Sequence, residues 1–355
     1  MTKSCVGFAE NTTRGAGHVV LSKKLALTIP PLRRLYKSRD KWEATAKRQR
    51  KQLKEQRMLL DQHAVLRFFA YNATFDALEL MRRHEVHREP TPGFQTNWLG
   101  VLIDPKIFPP LREQAGTVEP FPYPANWHAD IAEWAAVLRA VENAPRDSFT
   151  MVELGCGWGC WMNNSGVAAR RTGRRVHVIG IEGDPGHLEF AKEALDRNGF
   201  ASHEYTLLRG VAAATDGVAL FPRQETAGHN WGLEPVFAAS QEQVEAAVAS
   251  GSHDAIPMIP LTDAMASHTR VDLLHIDIQG GEAAVVESCL DVIGARVGYL
   301  MIGTHGRAIE ERLFDLLTGA GWQLEVERPC FFTLVDNKPV LEVDGVQGWR
   351  NPMLA

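Results

Sequence analysis

Glu153-Leu154-Gly155-Cys156-Gly157-Trp158-Gly159 sets a carboxylate two residues ahead of three alternating glycines, at the end of the β-prone run Phe149–Val152. A buried strand that stops at such a turn lets its backbone come close to a ligand. Glu153 stands where a carboxylate can meet a cationic or amino-bearing ligand, such as the methionine end of S-adenosylmethionine. A nicotinamide fingerprint asks for its acidic residue later, on the following strand. The plain alternative is a structural strand-to-helix turn, so the neighbouring segments must decide.

Three further groups fall at ends of strand-like runs. Glu182 closes Arg175–Ile181, where a carboxylate can accept two hydrogen bonds from a vicinal ribose diol. Gly210 and Val211, in the third run, join Glu153, Gly155, Gly157, Gly159 and Glu182 as cofactor-binding candidates. The fourth run ends in His275-Ile276-Asp277-Ile278-Gln279-Gly280-Gly281-Glu282. Strand alternation would put His275, Asp277 and Gln279 on one side, and polar groups at the tip of a buried strand are costly unless they bind something.

The fifth run ends in Gly303-Thr304-His305. Asp277 and His305 are therefore the catalytic candidates: His305 takes a proton from a substrate hydroxyl, and Asp277 orients it or binds the substrate. His275, Gln279 and Glu282 are substrate-binding candidates, with His229 and Asn230 from the glycine-flanked loop Gly228–Gly232. The competing structural reading is a His305–Asp277 hydrogen bond with Glu282 as a helix N-terminal carboxylate. Asp277, His275, Glu282 and His305 are also metal donors. Their spacing matches no closed zinc set; an open divalent-metal site such as magnesium stays as an alternative that nothing in the spacing supports, so no metal ligand is assigned.

These same segments, Val152–Gly155, Glu182-Gly183-Asp184-Pro185 and His275–Glu282, resemble the FkbM family of S-adenosylmethionine-dependent O-methyltransferases over roughly Asp147 to Pro339. The resemblance implies a class I methyltransferase fold, S-adenosylmethionine as cofactor, and transfer to a hydroxyl of a sugar, surface glycan or polyketide-type natural product. By that similarity Glu153, Gly155, Gly157 and Gly159 match the cofactor loop, Glu182 the ribose acid, and Asp277, Gly280 and Glu282 the aspartate-x-glutamate-glycine-x-glutamate signature. Gln279 departs from the family's usual glutamate and His275 from its lysine. The lost charge at Gln279 puts a cation role there in doubt.

Positioning these tips takes a repeating strand and helix pattern. The expected fold class is α/β: a class I methyltransferase (Rossmann-like), mostly parallel sheet with helices on both faces, preceded by a long N-terminal helix. Residues 127–355 form that domain, with a helix over Trp127–Val141 and a closing hairpin of Trp322–Glu327 with Phe331–Val335 around Pro329. Residues 86–126, rich in proline and aromatics, read as an irregular linker packed on the core, over the substrate entrance. Residues 1–31 read as a flexible tail. From Leu32 to about Arg83 there is neither proline nor glycine, which predicts a helix within a segment ending at residue 85.

Between Arg33 and Arg57 stand eleven Lys/Arg against three Asp/Glu, in a chain of net charge −5. An imperfect heptad of Leu32, Leu35, Trp42, Ala46, Leu53 and Leu60 spans this stretch; beside the plain reading of a solvated helix face, it makes the helix a candidate coiled coil joining a homo-oligomer. An acidic protein or a membrane surface is the other partner its charge suits, and no nucleic-acid motif accompanies it. Five cysteines without metal-like spacing, no apolar leader and no membrane-length apolar run predict reduced thiols in a cytoplasmic protein. Two other function classes fit parts of the sequence. A nicotinamide-linked dehydrogenase has no use for Glu153 and lacks its Tyr-x-x-x-Lys pair here. A cofactor-binding but non-catalytic assembly module would act through the basic helix.

Overall fold

The computed structural model describes residues 47, 48, 51, 67–226, 228–237 and 239–354. Lys47, Arg48 and Lys51 are helical. The tail, the heptad positions and the oligomer, membrane and acidic-partner expectations tied to them lie outside the described residues. A compact unit begins at Leu66. Its first elements correct the single helix expected up to about Arg83. Strand β1 (Asn72–Ala73) pairs antiparallel with Val326 and Glu327, and helix α1 (Ala77–His84) starts afresh. Asp76 is the reason: its carboxylate accepts from the Glu79 N–H and caps a new helix, although no proline or glycine announces the break.

The short strands β2 (Gln95–Thr96) and β3 (Leu102–Ile103) form a hairpin inside the proline-rich segment. Trp98, Leu99, Val101 and Ile103 are fully buried, each burial contributing roughly 2 kcal/mol. The buried Asn97 donates to Asn164 at 2.7 Å and accepts from the Leu99 and Val101 N–H groups, so the segment is tied down by polar contacts as well. Helix α2 (Ile131–Asn143) begins later than its apolar periodicity suggests, because Asp130 and Glu133 close a capping box worth about 1 kcal/mol.

Then come β4 (Ser148–Leu154), α3 (Cys160–Arg171), β5 (Arg175–Glu182), α4 (Pro185–Arg197), β6 (Tyr205–Arg209), β7 (Val211–Ala213), β8 (Gly217–Pro222), α5 (Gln241–Ser250), β9 (His253–Pro260), α6 (Leu261–Ala264) and β10 (Leu273–Ile276). The chain continues through α7 (Glu282–Ser288), α8 (Leu290–Arg296), β11 (Tyr299–Thr304), α9 (Arg307–Gly319), β12 (Gln323–Arg328), β13 (Phe331–Val335), β14 (Lys338–Val343) and β15 (Gly345–Arg350).

The main sheet has the order β1-β12-β15-β11-β10-β4-β5-β6. The five strands from β6 to β11 are parallel, and β15 inserts antiparallel between β11 and β12. This is the class I methyltransferase arrangement, extended by β1 at one edge. Alternation along β4 sends Phe149 and Met151 to the face covered by α2 and α3, and Val152 and Leu154 to the face covered by α7 and α9. The chain moves outward from β4 to β5 and β6, then returns to the other side of β4 as β10. The strand order therefore reverses between β4 and β10, where open sheets of this type bind ligands.

Two expectations are corrected. The single third strand breaks at Gly210, and β7 joins a separate sheet in the order β7-β9-β8. Strand β9 carries Pro257 and Pro260, breakers that hide it in the sequence. The closing hairpin is not β12 with β13. Strand β12 pairs with β15, while β13 pairs with β14 across Asp336-Asn337, both at positive φ, a two-residue turn that suits a hairpin better than Pro329 does. Among the described residues no helix is long and apolar enough to cross a membrane.

Candidate active site

A cavity of about 980 Å³ opens at the strand-order reversal, above the tips of β4, β5 and β10. Its floor is the turn between β4 and α3, where Gly155, Gly157 and Gly159 all have positive φ. Glu153 is almost fully buried, and its two oxygens accept from the Trp161 and Met162 N–H groups at 3.3 and 3.0 Å. It thus caps α3 from beneath and fixes the turn, while still contributing to the cavity wall. His275, its register neighbour on β10, brings Nδ1 to 3.3 Å from the same carboxylate and packs edge-on to Trp161. His275 borders the cavity but is buried, held by its own neighbours.

Glu182 bridges two turns. One oxygen accepts from Gly157 N–H at 2.9 Å, the other from Asp184 N–H at 2.8 Å, and burial raises its pKa above the ordinary carboxylate range. Gly210 and Val211 lie on the same wall, Gly210 donating its N–H to the Glu182 carbonyl. Asp184 caps α4 through His187 N–H and also accepts from Gly228 N–H and Gln224 Nε2, at 2.9 and 2.8 Å. That carboxylate anchors the loop after β8. Trp231 of this loop stacks on His187, ring centres 4.1 Å apart, and leans over Gly157. Asn230 reaches the cavity wall, whereas His229 is exposed and off the wall. Asp184, His187 and Trp231 are not among the site residues expected from the sequence, although Asp followed by Pro is a helix-start signal.

Strand alternation stops at Ile276, so His275, Asp277 and Gln279 do not form one row. Gln279 turns back at φ 57 and donates its amide to Asp277 Oδ1 at 3.2 Å. Asp277 borders the cavity with its side chain 42% exposed, whereas neither His305 nor Glu282 reaches the wall. His305 stands behind Asp277, with Nε2 3.5 Å from Asp277 Oδ1. Its Nδ1 meets Glu282 Oε1 at 2.9 Å, so Glu282, fully buried at the start of α7, orients the ring in place of Asp277. Glu282 Oε1 also accepts from the Ile278 and Gly280 N–H groups. Burial opposes a charge on His305, but the Glu282 hydrogen bond and the carboxylates of Asp277 and Asp344 outweigh it and raise its pKa to about 9.

Phe108, Trp127 and Trp158 line the opposite side, Trp127 stacked between the other two at centroid distances of 5.7 and 6.2 Å. Phe108 and Trp127 come from the proline-rich segment and its border, so that segment does contribute to the cavity. Beneath them His128 is held neutral, burial pushing its pKa down to about 3, with Nδ1 3.4 Å from Cys160 Sγ. Burial likewise pushes the Cys156 and Cys160 thiols up, away from nucleophilic use.

No family model matches the chain. Among solved structures it is similar to a precorrin-8W decarboxylase of Methanobacterium thermoautotrophicum (TM-score 0.34, 14% identity, 60% of this chain and 86% of that one). It is also similar to a precorrin-6Y C5,15-methyltransferase of Geobacter metallireducens GS-15 (TM-score 0.33, 11% identity, 60% and 86%). Superpositions this loose add nothing to the strand order already described. Sequence similarity is far stronger: the chain is 46% identical over 277 residues, 77% of its own length and 98% of the relative's, to a protein of Jannaschia sp. (strain CCS1) named "Putative methyltransferase". With that identity over nearly the whole relative, the chain belongs to the family of this methyltransferase.

Proposed function

We propose that the protein is an S-adenosylmethionine-dependent O-methyltransferase acting on a hydroxyl of a sugar, surface glycan or polyketide-type natural product. The observation that carries this reading is the pairing of the Glu182-anchored glycine turn with the open carboxylate of Asp277 across one cavity. The donor set fits the cofactor. Glu182 keeps lone pairs beyond the two used by Gly157 and Asp184, so a ribose diol can be held there. Gly155 and Gly157 border the cavity at the turn, and Gly210 and Val211 supply the wall beside it, whereas Gly159 packs against Met162 and Asn163 off the wall. When bound, the cofactor supplies an electrophilic methyl group on a sulfonium sulfur.

The chain's own part is to position the acceptor and to take its proton. Asp277, an open carboxylate at the cavity surface, is able to accept a hydroxyl hydrogen bond and then the proton. His305, set back from the cavity and locked by Glu282, stands 3.5 Å behind Asp277. The stacked Phe108, Trp127 and Trp158 offer flat apolar faces suited to a sugar ring or a polyketide backbone. The likeness to FkbM enzymes supports transfer to oxygen. Screening glycosides and macrolide alcohols with methyl-labelled S-adenosylmethionine tests the reading. Label in an ether product supports it, and label found only on nitrogen or carbon acceptors overturns it.

A further inference from the structure

Behind Asp277, the His305 imidazole faces carboxylates from two separate parts of the chain. Asp277 follows β10, His305 follows β11, and Asp344 occupies the junction of β14 and β15. His305 Nε2 lies 3.5 Å from Asp277 Oδ1 and 3.9 Å from Asp344 Oδ1. The His305 side chain is 10% exposed, and Nε2 has no hydrogen-bond partner although it points between the two carboxylates. An ordinary ion pair would close to hydrogen-bond distance. Two ligands of one ion, each about 2.1 Å from it, sit roughly 3.0–3.4 Å apart, so the two spacings from Nε2 come into range with a small side-chain adjustment, and Asp344 must swing toward Asp277 to close the set. Asp344 is 59% exposed and free to make it.

We propose that His305 Nε2, Asp277 Oδ1 and Asp344 Oδ1 bind one divalent transition-metal ion. Glu282 completes the arrangement from outside the coordination shell. Its 2.9 Å hydrogen bond fixes Nδ1 as the protonated nitrogen and leaves Nε2 as the ligand, the relation found around metal-bound histidines. Two carboxylates balance a double positive charge. One imidazole with two carboxylates suits manganese, iron or zinc better than magnesium or calcium, which favour oxygen alone. The exposure of Asp277 and Asp344 leaves coordination positions open to water. Asp277 also borders the cavity, so the ion would stand at its edge, with the second Asp277 oxygen free for an acceptor hydroxyl.

The test uses the full chain, stripped with chelator and titrated with Mn2+ while the free-ion paramagnetic signal is followed. One equivalent should bind, and the bound ion should show the nitrogen coupling of a directly ligated imidazole. Asp344→Asn, an exposed change that spares the core, should weaken binding about tenfold or more, and His305→Gln should abolish the nitrogen coupling. Absence of saturable Mn2+ binding would overturn the proposal and leave an ion-pair cluster. So would bound Mn2+ without nitrogen coupling, or equal affinity in the parent and Asp344→Asn, since the ion would then lie elsewhere.

Discussion

A Cβ added at Gly155 would fall 2.3 Å from the backbone carbonyl oxygen of Asp277. The turn that floors the cofactor cavity and the residue assigned to the acceptor are thus in backbone contact, across the point where the strand order reverses. Gly155 also has φ 72, so no side chain is accommodated there without moving β10's tip. Gly155→Ala is expected to lower unfolding free energy by roughly 2–4 kcal/mol, measured by denaturant titration. It should also impair methyl transfer beyond the effect on stability, since Asp277 must shift.

Asp277→Asn keeps the shape of the side chain but removes its ability to accept a proton. Turnover should fall about 10²–10⁴-fold while S-adenosylmethionine affinity stays within a few-fold of the parent. Steady-state kinetics together with calorimetric binding separate the two effects. An unchanged turnover number would remove Asp277 from the chemistry.

Asp184 holds the loop that carries Trp231 over the glycine turn, through Gly228 and Gln224. In Asp184→Ala the loop loses both anchors and α4 loses its cap. Stability should drop by about 1 kcal/mol from the cap, and cofactor affinity by about tenfold as Trp231 loosens. Trp231→Ala should reproduce the affinity loss with no change in the melting temperature.

Glu119, 5% exposed, is pushed up from an ordinary 4.5 to about 7, chiefly by burial, although a hydrogen bond from Asn126 opposes the shift. A carboxyl raised in the folded state contributes stability that is fully present below about pH 4.5 and is lost as pH climbs through about 7. Glu119→Gln mimics the neutral form. It should leave stability near pH 4 little changed and raise it above pH 7, by up to about 3 kcal/mol. Denaturant midpoints across this range measure the sign.

The parts of this architecture legible in the sequence are those encoded locally. Glu153 with its glycines, Glu182 before Asp184-Pro185, and the strand-helix alternation around them follow from turn chemistry and burial over a few residues. The partners of His305 were not legible in the same way. Glu282 reaches it only because Gln279 turns at positive φ and ends the strand pattern at Ile276. Asp344 reaches it only because β15 returns between β11 and β12. The role of Asp184 in holding a loop some forty residues away has no local signal beyond its helix cap. Strand β9 was concealed by its prolines, and the break at Asp76 by the absence of any.

The central claim is that the cavity floored by Gly155–Gly159 and bounded by Glu182 holds S-adenosylmethionine. Calorimetric titration of the full chain with S-adenosylmethionine, and separately with NAD, tests it most directly. One saturable S-adenosylmethionine site, lost or weakened at least about tenfold in Glu182→Ala, together with no NAD binding, is the expected result. Undiminished affinity in Glu182→Ala, or a chain that binds NAD and not S-adenosylmethionine, would contradict it.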